Sequence, residues 1–319
     1  MPKWPSSPRE FISPGCRAHL ISVIRTYPRM MMRPESLPPF IHAAASGLHN
    51  VAGGQQQQQQ PLQVGDQASG FTLLRPLSMC FGIAHVFTAR TATTAGFLWQ
   101  SVDDEHRRIR DSVPQMDTLT RDETLASIQA MVIYLLMRVI ESGHEYFVAN
   151  HDMLRTMKKL SARFAHLVPG PFSPAHARTA RPAWRDWIHE ETRRRVTIVC
   201  FLTSLVVGAE GCDIIMDPNL IPLPSGRALW EARTETDWAR EFEAAWAEVR
   251  VNGPRLDTVG DLAVAKFGAG AGTGVMVGFK GGVGEGRSRA VEDVLDGWHA
   301  GLDGLGMLLA AVMAGVYTA

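Results

Sequence analysis

An all-α fold, irregular and multi-helical, is what this 319-residue sequence predicts, and three observations carry the prediction. Apolar residues recur at steps of three and four over several long stretches. Proline and glycine gather between those stretches, and few segments show the period of two expected of a half-buried strand. Hydrophobic residues make up 45% of the chain and charged residues 20%, which suits a globular protein and is too apolar for general disorder. Lys plus Arg and Asp plus Glu both number 32, so the chain has no bulk electrostatic footprint for nucleic acid. Contact with DNA would need a local basic patch or a separate module.

Residues 1–36 read as an irregular leader, because Pro2, Pro5, Pro8, Pro14, Pro28 and Pro34 punctuate them. A low-complexity insert at 53–70 follows, with glutamines at 55–60, and reads as a loop. Helical spacing resumes around Leu74, Leu77, Phe81 and Ala84. A second helix over Phe97 to Arg110 sets Trp99 and Val102 against Asp103, Asp104 and Glu105, three consecutive acids that read as a solvated face rather than a metal site. Thr120-Arg121-Asp122-Glu123 is a capping box that starts a helix with Leu125, Ile128, Met131, Val132, Leu135, Leu136, Val139 and Ile140 inward and Gly143 as its stop. Residues 151–167 form another amphipathic helix.

The longest uninterrupted pattern runs from Pro182 to Gly211. Trp184, Ile188, Ile198, Leu202 and Leu205 form one apolar stripe, and Glu191 and Arg195 fall on it. Glu191 with Arg195, and Glu190 with Arg194, are spaced for ion pairs along a helix. Two readings are open: a solvated face with surface pairs worth about 0–1 kcal/mol, or a partly buried clamp drawn inward by the apolar residues on either side. Pro218, Pro222 and Pro224 then force an extended segment, and Trp238, Phe242, Ala245 and Val249 mark one more helical face. Between Gly253 and Gly286 there are 11 glycines in 34 residues, so 253–288 reads as a linker, with 289–319 as a C-terminal helix packing on the domain.

No enzyme chemistry is expected. The glycine-rich segment lacks P-loop and dinucleotide spacing, and His144-Glu145 and His189-Glu190 lack a second zinc-binding histidine. An enzyme would need a pocket lined by residues such as His189, Cys212 and Asp213. The four cysteines, Cys16, Cys80, Cys200 and Cys212, have no zinc-finger spacing, so no cofactor or metal is expected in this chain. The apolar runs Val196–Ala209 and Leu305–Ala319 are shorter than the ~18 residues of a membrane span and read as buried helices.

Trp184, Trp187, Ile188, Glu191, Thr192, Arg194 and Arg195 match a Trp-x-x-Trp-[Ile/Val]-x-x-Glu-[Ser/Thr]-x-Arg-Arg pattern. The pattern resembles that of the fungal-specific transcription factor domain, the helical regulatory region found downstream of zinc-cluster or Cys2His2 modules. Further islands resemble the same family in order and spacing: 37–42, 75–80, 125–138, the proline turn with Pro222 and Pro224, the Leu229-Trp230-Glu231-Ala232 segment with Trp238, and 295–301. The resemblance is spread over about residues 37–314, with 37–252 as the regulatory domain. It implies a nuclear regulator of RNA polymerase II transcription that works through protein partners, a homodimer or a small-molecule effector. DNA binding and zinc would come from a module this sequence lacks or from a partner. The alternative it implies is a DNA-free protein that heterodimerises with full-length relatives. Trp184, Trp187, Glu191, Arg194, Arg195, Pro222, Pro224, Trp230 and Trp238 are expected as structural keystones rather than catalysts.

Overall fold

Helix formation follows the apolar periodicity. The computed structural model describes residues 12–33, 36–46, 74–112, 118–149, 152–168, 181–207, 218–252, 256–267 and 285–316, of which 79% are helical and none lies in a strand. The main elements are α1 (Pro14–Ile24), α2 (Arg75–Thr88), α3 (Ala95–Ser112), α4 (Arg121–Ala149), α5 (Asp152–Leu167), α6 (Trp184–Val207), α7 (Glu235–Asn252), α8 (Val259–Phe267), α9 (Glu285–Ala300) and α10 (Gly304–Val316).

Helix α4 is the spine, with α2, α5 and α6 packed on it. Its capping box forms as the spacing predicts: the Thr120 N–H donates to Glu123 Oε2 at 2.9 Å and the Glu123 N–H to Thr120 Oγ1 at 3.2 Å. Ala130, Ile133, Tyr134 and Met137 are buried beside the expected stripe, so the helix is apolar nearly all round. Residues Arg121–Glu141 are long and apolar enough to cross a membrane, yet 83% of that window is covered by the protein itself, the condition of a core helix. The helix runs through Gly143 to Ala149. A glycine inside a helix costs only about 1 kcal/mol, so it does not have to be a stop.

Several boundaries differ from the sequence reading. The described part of the leader belongs to the core: α1, the turn Tyr27–Met30 and the residue after it bury Leu20, Ile24, Tyr27 and Met31. Pro14 and Pro28 sit in first helical turns, where a missing N–H is no loss, so these prolines begin helices instead of preventing them. Helix α6 starts at Trp184, after Pro182, with the Trp187 N–H donating to the Ala183 carbonyl. Within the expected linker, α8 buries Val259, Leu262 and Ala263. It opens on a second capping box, in which the Thr258 N–H donates to Asp261 Oδ2 at 2.9 Å and the Asp261 N–H to Thr258 Oγ1 at 3.1 Å. The expected single C-terminal helix is two, α9 and α10, parted at residues 301–303. The acids of α3 are also not uniformly solvated: Glu105 is buried against Arg108, and Asp103 pairs with Arg138, whose guanidinium lies 4.2 Å over the Trp99 ring. The 53–70 insert, Gly208, Gly211, Cys212 and Asp213 lie outside the described residues.

The proline-rich segment after α6 is extended only in part: Pro218–Leu220 is a 3-10 turn, which a proline can open because it needs no N–H there, whereas residues 221–226 are extended and pair with the start of α8. The Leu223 N–H donates to the Asp257 carbonyl and the Val259 N–H to the Ile221 carbonyl, both at 2.8 Å. Gly260 lies where α8 meets the turn at Asn219. A Cβ there would come within 2.8 Å of the Asn219 carbonyl oxygen and 3.3 Å of its Cα, a clash with backbone rather than with a movable side-chain end. Gly260→Ala is therefore expected to lower stability by about 1–3 kcal/mol in urea denaturation. An unchanged midpoint would show that the Asn219 turn moves freely.

Candidate functional site

The centre of α6 carries its most demanding residues. Glu191 and Arg195 are 0% exposed and Arg194 is 2% exposed, which removes the solvated-face reading and leaves the buried clamp. Arg193 is buried as well and donates from Nη1 to the Val168 carbonyl at 2.7 Å. Of the two pairs expected along the helix, Glu191 with Arg195 forms at 2.8 Å, while Arg194 turns mainly to the same carboxylate instead of to Glu190. Arg194 approaches Glu190 only to 3.9 Å but Glu191 to 2.6 Å.

Every acceptor direction of Glu191 is used. Oε1 accepts from Arg195 Nε at 2.8 Å and from the Ser225 N–H at 2.8 Å; Oε2 accepts from Arg194 Nη1 at 2.6 Å and from Ser225 Oγ at 2.7 Å. Arg195 places four of its five donors: Nε on Glu191, Nη1 on Asp303 Oδ2 at 2.5 Å and on the Pro39 carbonyl at 3.1 Å, and Nη2 on the Ser225 carbonyl at 3.1 Å. Its guanidinium also lies 4.0 Å over the Trp230 ring. Asp303 divides its carboxylate, since Oδ1 accepts from the Gly306 N–H at 2.9 Å and caps α10.

The motif tryptophans gather beside this network. Trp187, Ile188, Trp230, Ala232 and Trp238 form a cluster of their own, with Trp184 and Phe242 against it. Trp187 and Trp238 rings stand 5.8 Å apart. Pro222 and Pro224 are buried in the extended segment that presents Ser225. All nine residues expected as keystones therefore lie in the network, in the aromatic cluster or in the segment that carries Ser225. The sequence reading missed Ser225, Asp303, the Pro39 carbonyl and His42.

His42 packs edge-on to Trp230 at 4.8 Å and to Trp184 at 5.9 Å. Its Nδ1 accepts from the Ala44 N–H at 3.2 Å. Burial first, and the neighbouring Arg195 cation second, lower its pKa to about 3, with the Trp230 backbone opposing. The imidazole is thus neutral, and the network holds two carboxylates and two guanidinium groups in balance. Tyr27 lies close enough for its phenol to be pushed up by burial, then by Asp303, with Arg195 opposing.

A second polar junction ties the starts of α4 and α6 together. His189 Nδ1 lies 2.6 Å from the Arg185 carbonyl, and Nε2 lies 2.6 Å from Asp122 Oδ1. Arg185 also donates to Asp122. The His189 hydrogen bond, followed by the nearby positive charge, holds the Asp122 carboxyl below its ordinary range against the opposing effect of burial. No cluster of three or more His, Cys, Asp or Glu side chains suited to a metal occurs among the described residues. The central arrangement is chemically an ionic junction whose shared carboxylate has all its acceptor directions occupied.

Compared with known proteins, the chain matches no family model, no curated protein and no solved structure.

Two outcomes check this geometry. Glu191→Ala leaves two buried guanidinium groups without their shared partner and is expected to cost about 3–5 kcal/mol in denaturant unfolding, or to prevent folding. A melting shift near zero would show that the network opens to water. The pH dependence concerns His42, whose folded pKa is lowered to about 3. The unfolded chain takes up a proton near pH ~6.5 while the folded chain does not, so stability falls with acidification from there to about pH 3, by at most about 1.4 kcal/mol per pH unit. His42→Phe is expected to flatten that limb. A slope unchanged from wild type would place the acid sensitivity elsewhere.

Proposed function

We propose that the chain is the helical regulatory domain of a nuclear transcription regulator acting with RNA polymerase II, with DNA binding supplied by an upstream zinc module or by a partner protein. One observation carries this reading. Four of the separate sequence islands that resemble the fungal-specific transcription factor domain meet at one place: the tryptophan motif itself, with Glu191 and Arg195 at the centre, 37–42, the proline turn and the Leu229–Ala232 segment. Pro39 and His42 arrive from the first island, Ser225 and Trp230 from the proline turn and the helix after it, and Asp303 from just beyond the last. Residues that a resemblance alone would leave scattered share one neutral junction, which favours a common origin over coincidence of short motifs. In this role the domain is a rigid scaffold, and protein partners or an effector act on its outer faces.

A reporter assay tests the proposal. The chain is fused to a heterologous DNA-binding module, and expression from a promoter bearing that module's site is measured in a fungal host. Expression is expected to change by about an order of magnitude, a coupling of about 1.4 kcal/mol, and Glu191→Ala is expected to abolish the change. Expression equal to that of the module alone would remove the regulatory reading. If the chain then co-purifies with a full-length zinc-cluster relative, it is the DNA-free heterodimer partner instead.

A further inference from the structure

Both ring nitrogens of His189 face oxygens that have no proton to give. Nδ1 lies 2.6 Å from the Arg185 carbonyl, and Nε2 lies 2.6 Å from Asp122 Oδ1. A backbone carbonyl only accepts, and so does an ionised carboxylate. A neutral imidazole has one N–H and one bare nitrogen, so in either tautomer one of the two contacts would set a nitrogen lone pair against an oxygen lone pair. The two short contacts are made together by an imidazolium with both of its protons.

The same proton could in principle belong to Asp122, and its surroundings decide against that. The His189 hydrogen bond first, and the positive charges of His189 and Arg185 after it, hold the Asp122 carboxyl below its ordinary range against the opposing effect of burial. Arg185 donates to the same carboxylate. The other charged groups nearby are engaged elsewhere. Arg121 of α4 lies 2.5 Å from Asp186 of α6, and Glu123 closes the cap on Thr120. Along α6, Glu190 lies 3.9 Å from Arg194, and Arg193 donates to the Val168 carbonyl. Helix α5 brings the Phe164 ring to 6.3 Å from the imidazole. Asp122 is the one carboxylate within ion-pair distance of His189 among the described residues.

The His189 side chain is 2% exposed, so water cannot replace a hydrogen bond lost there. We infer that the Asp122–His189 contact is a proton-operated latch, which fastens the start of α4 to α6 while the imidazole holds two protons and opens when one leaves to solvent. Its demand is opposite to that of His42, which packs against Trp230 on the far side of the Glu191 network and is buried neutral. Alkalinity therefore releases one edge of α6, and acid strains the other. The Arg121–Asp186 pair still joins the two helix starts when the latch opens, so the release is local. The latch does not depend on the regulatory reading, and the two fail separately.

The test compares urea unfolding of the full wild-type chain and H189Q between pH about 5.5 and about 8.5, which brackets the ordinary imidazole range near pH ~6.5. Glutamine keeps an amide donor for Asp122 and does not titrate. The folded chain holds a proton that the unfolded chain gives up, so this part of the stability is present in acid and lost as pH rises. The folding constant of wild type relative to H189Q is expected to fall above pH ~6.5, by up to about tenfold per pH unit. In a D122N background the ratio is expected to stay flat, because an amide can turn its NH2 toward a bare nitrogen. A wild-type ratio that is constant or rises over the same range overturns the inference. Nitrogen-15 NMR of the wild-type histidine side chains needs no variant, should H189Q not fold. At pH about 5.5 a slowly exchanging histidine with both ring nitrogens protonated is expected, and its absence overturns the inference as well.

Discussion

A carboxylate with four hydrogen bonds, in a place from which water is excluded, is the constraint on which the rest of this fold depends. Glu191 is wholly buried, and its two oxygens accept from Arg194, Arg195 and both donors of Ser225. A buried ion network adds little net stability over an apolar replacement of the same shape, but it heavily penalises any packing that leaves one member alone. Its effect is therefore selective. Of the many ways the helices and their connections could collapse, those that fail to bring the Pro39 carbonyl, Ser225 and Asp303 to one point leave charge stranded in the core.

That requirement accounts for features that look irregular in isolation. The proline turn is extended because Pro222 and Pro224 forbid helix, and the extended backbone delivers the N–H, carbonyl and hydroxyl of Ser225 together. The C-terminal helix is broken at 301–303, which frees Asp303 to cap α10 with one oxygen and meet Arg195 with the other. His42 stays neutral first because it is buried, and second because another cation beside Arg195 would upset a balance already closed by two carboxylates.

How much of this could be read beforehand follows from the range of the interactions. The stripe of α6 and the capping box of α4 lie within one helical turn of their partners, so periodicity and spacing expose them. The partners of Arg195 come from 30, 108 and 156 residues away and carry no periodic mark. Asp303 sits among glycines and Ser225 precedes one, so each reads as an ordinary turn residue. Some misses had a signal. Thr258-Val259-Gly260-Asp261 has the spacing of the capping box at Thr120, but the glycine count of its surroundings outweighed it. Pro14 and Pro28 read as breakers when taken singly, although a proline is as much a helix start as a helix stop.

The saturation of Glu191 also limits how such a domain can respond to a ligand. A ligand shifts a conformational equilibrium only by its differential affinity for the two states. Any rearrangement that withdraws Ser225 or Asp303 from the junction would have to offset several kcal/mol of buried, unpaired charge. A ligand acting there would need to replace those hydrogen bonds one for one. A partner docking on an outer helix face needs only to displace water. The physical division is between a centre that fixes one arrangement of segments and helix faces that are free to vary, and recognition is less costly on the faces than at the centre.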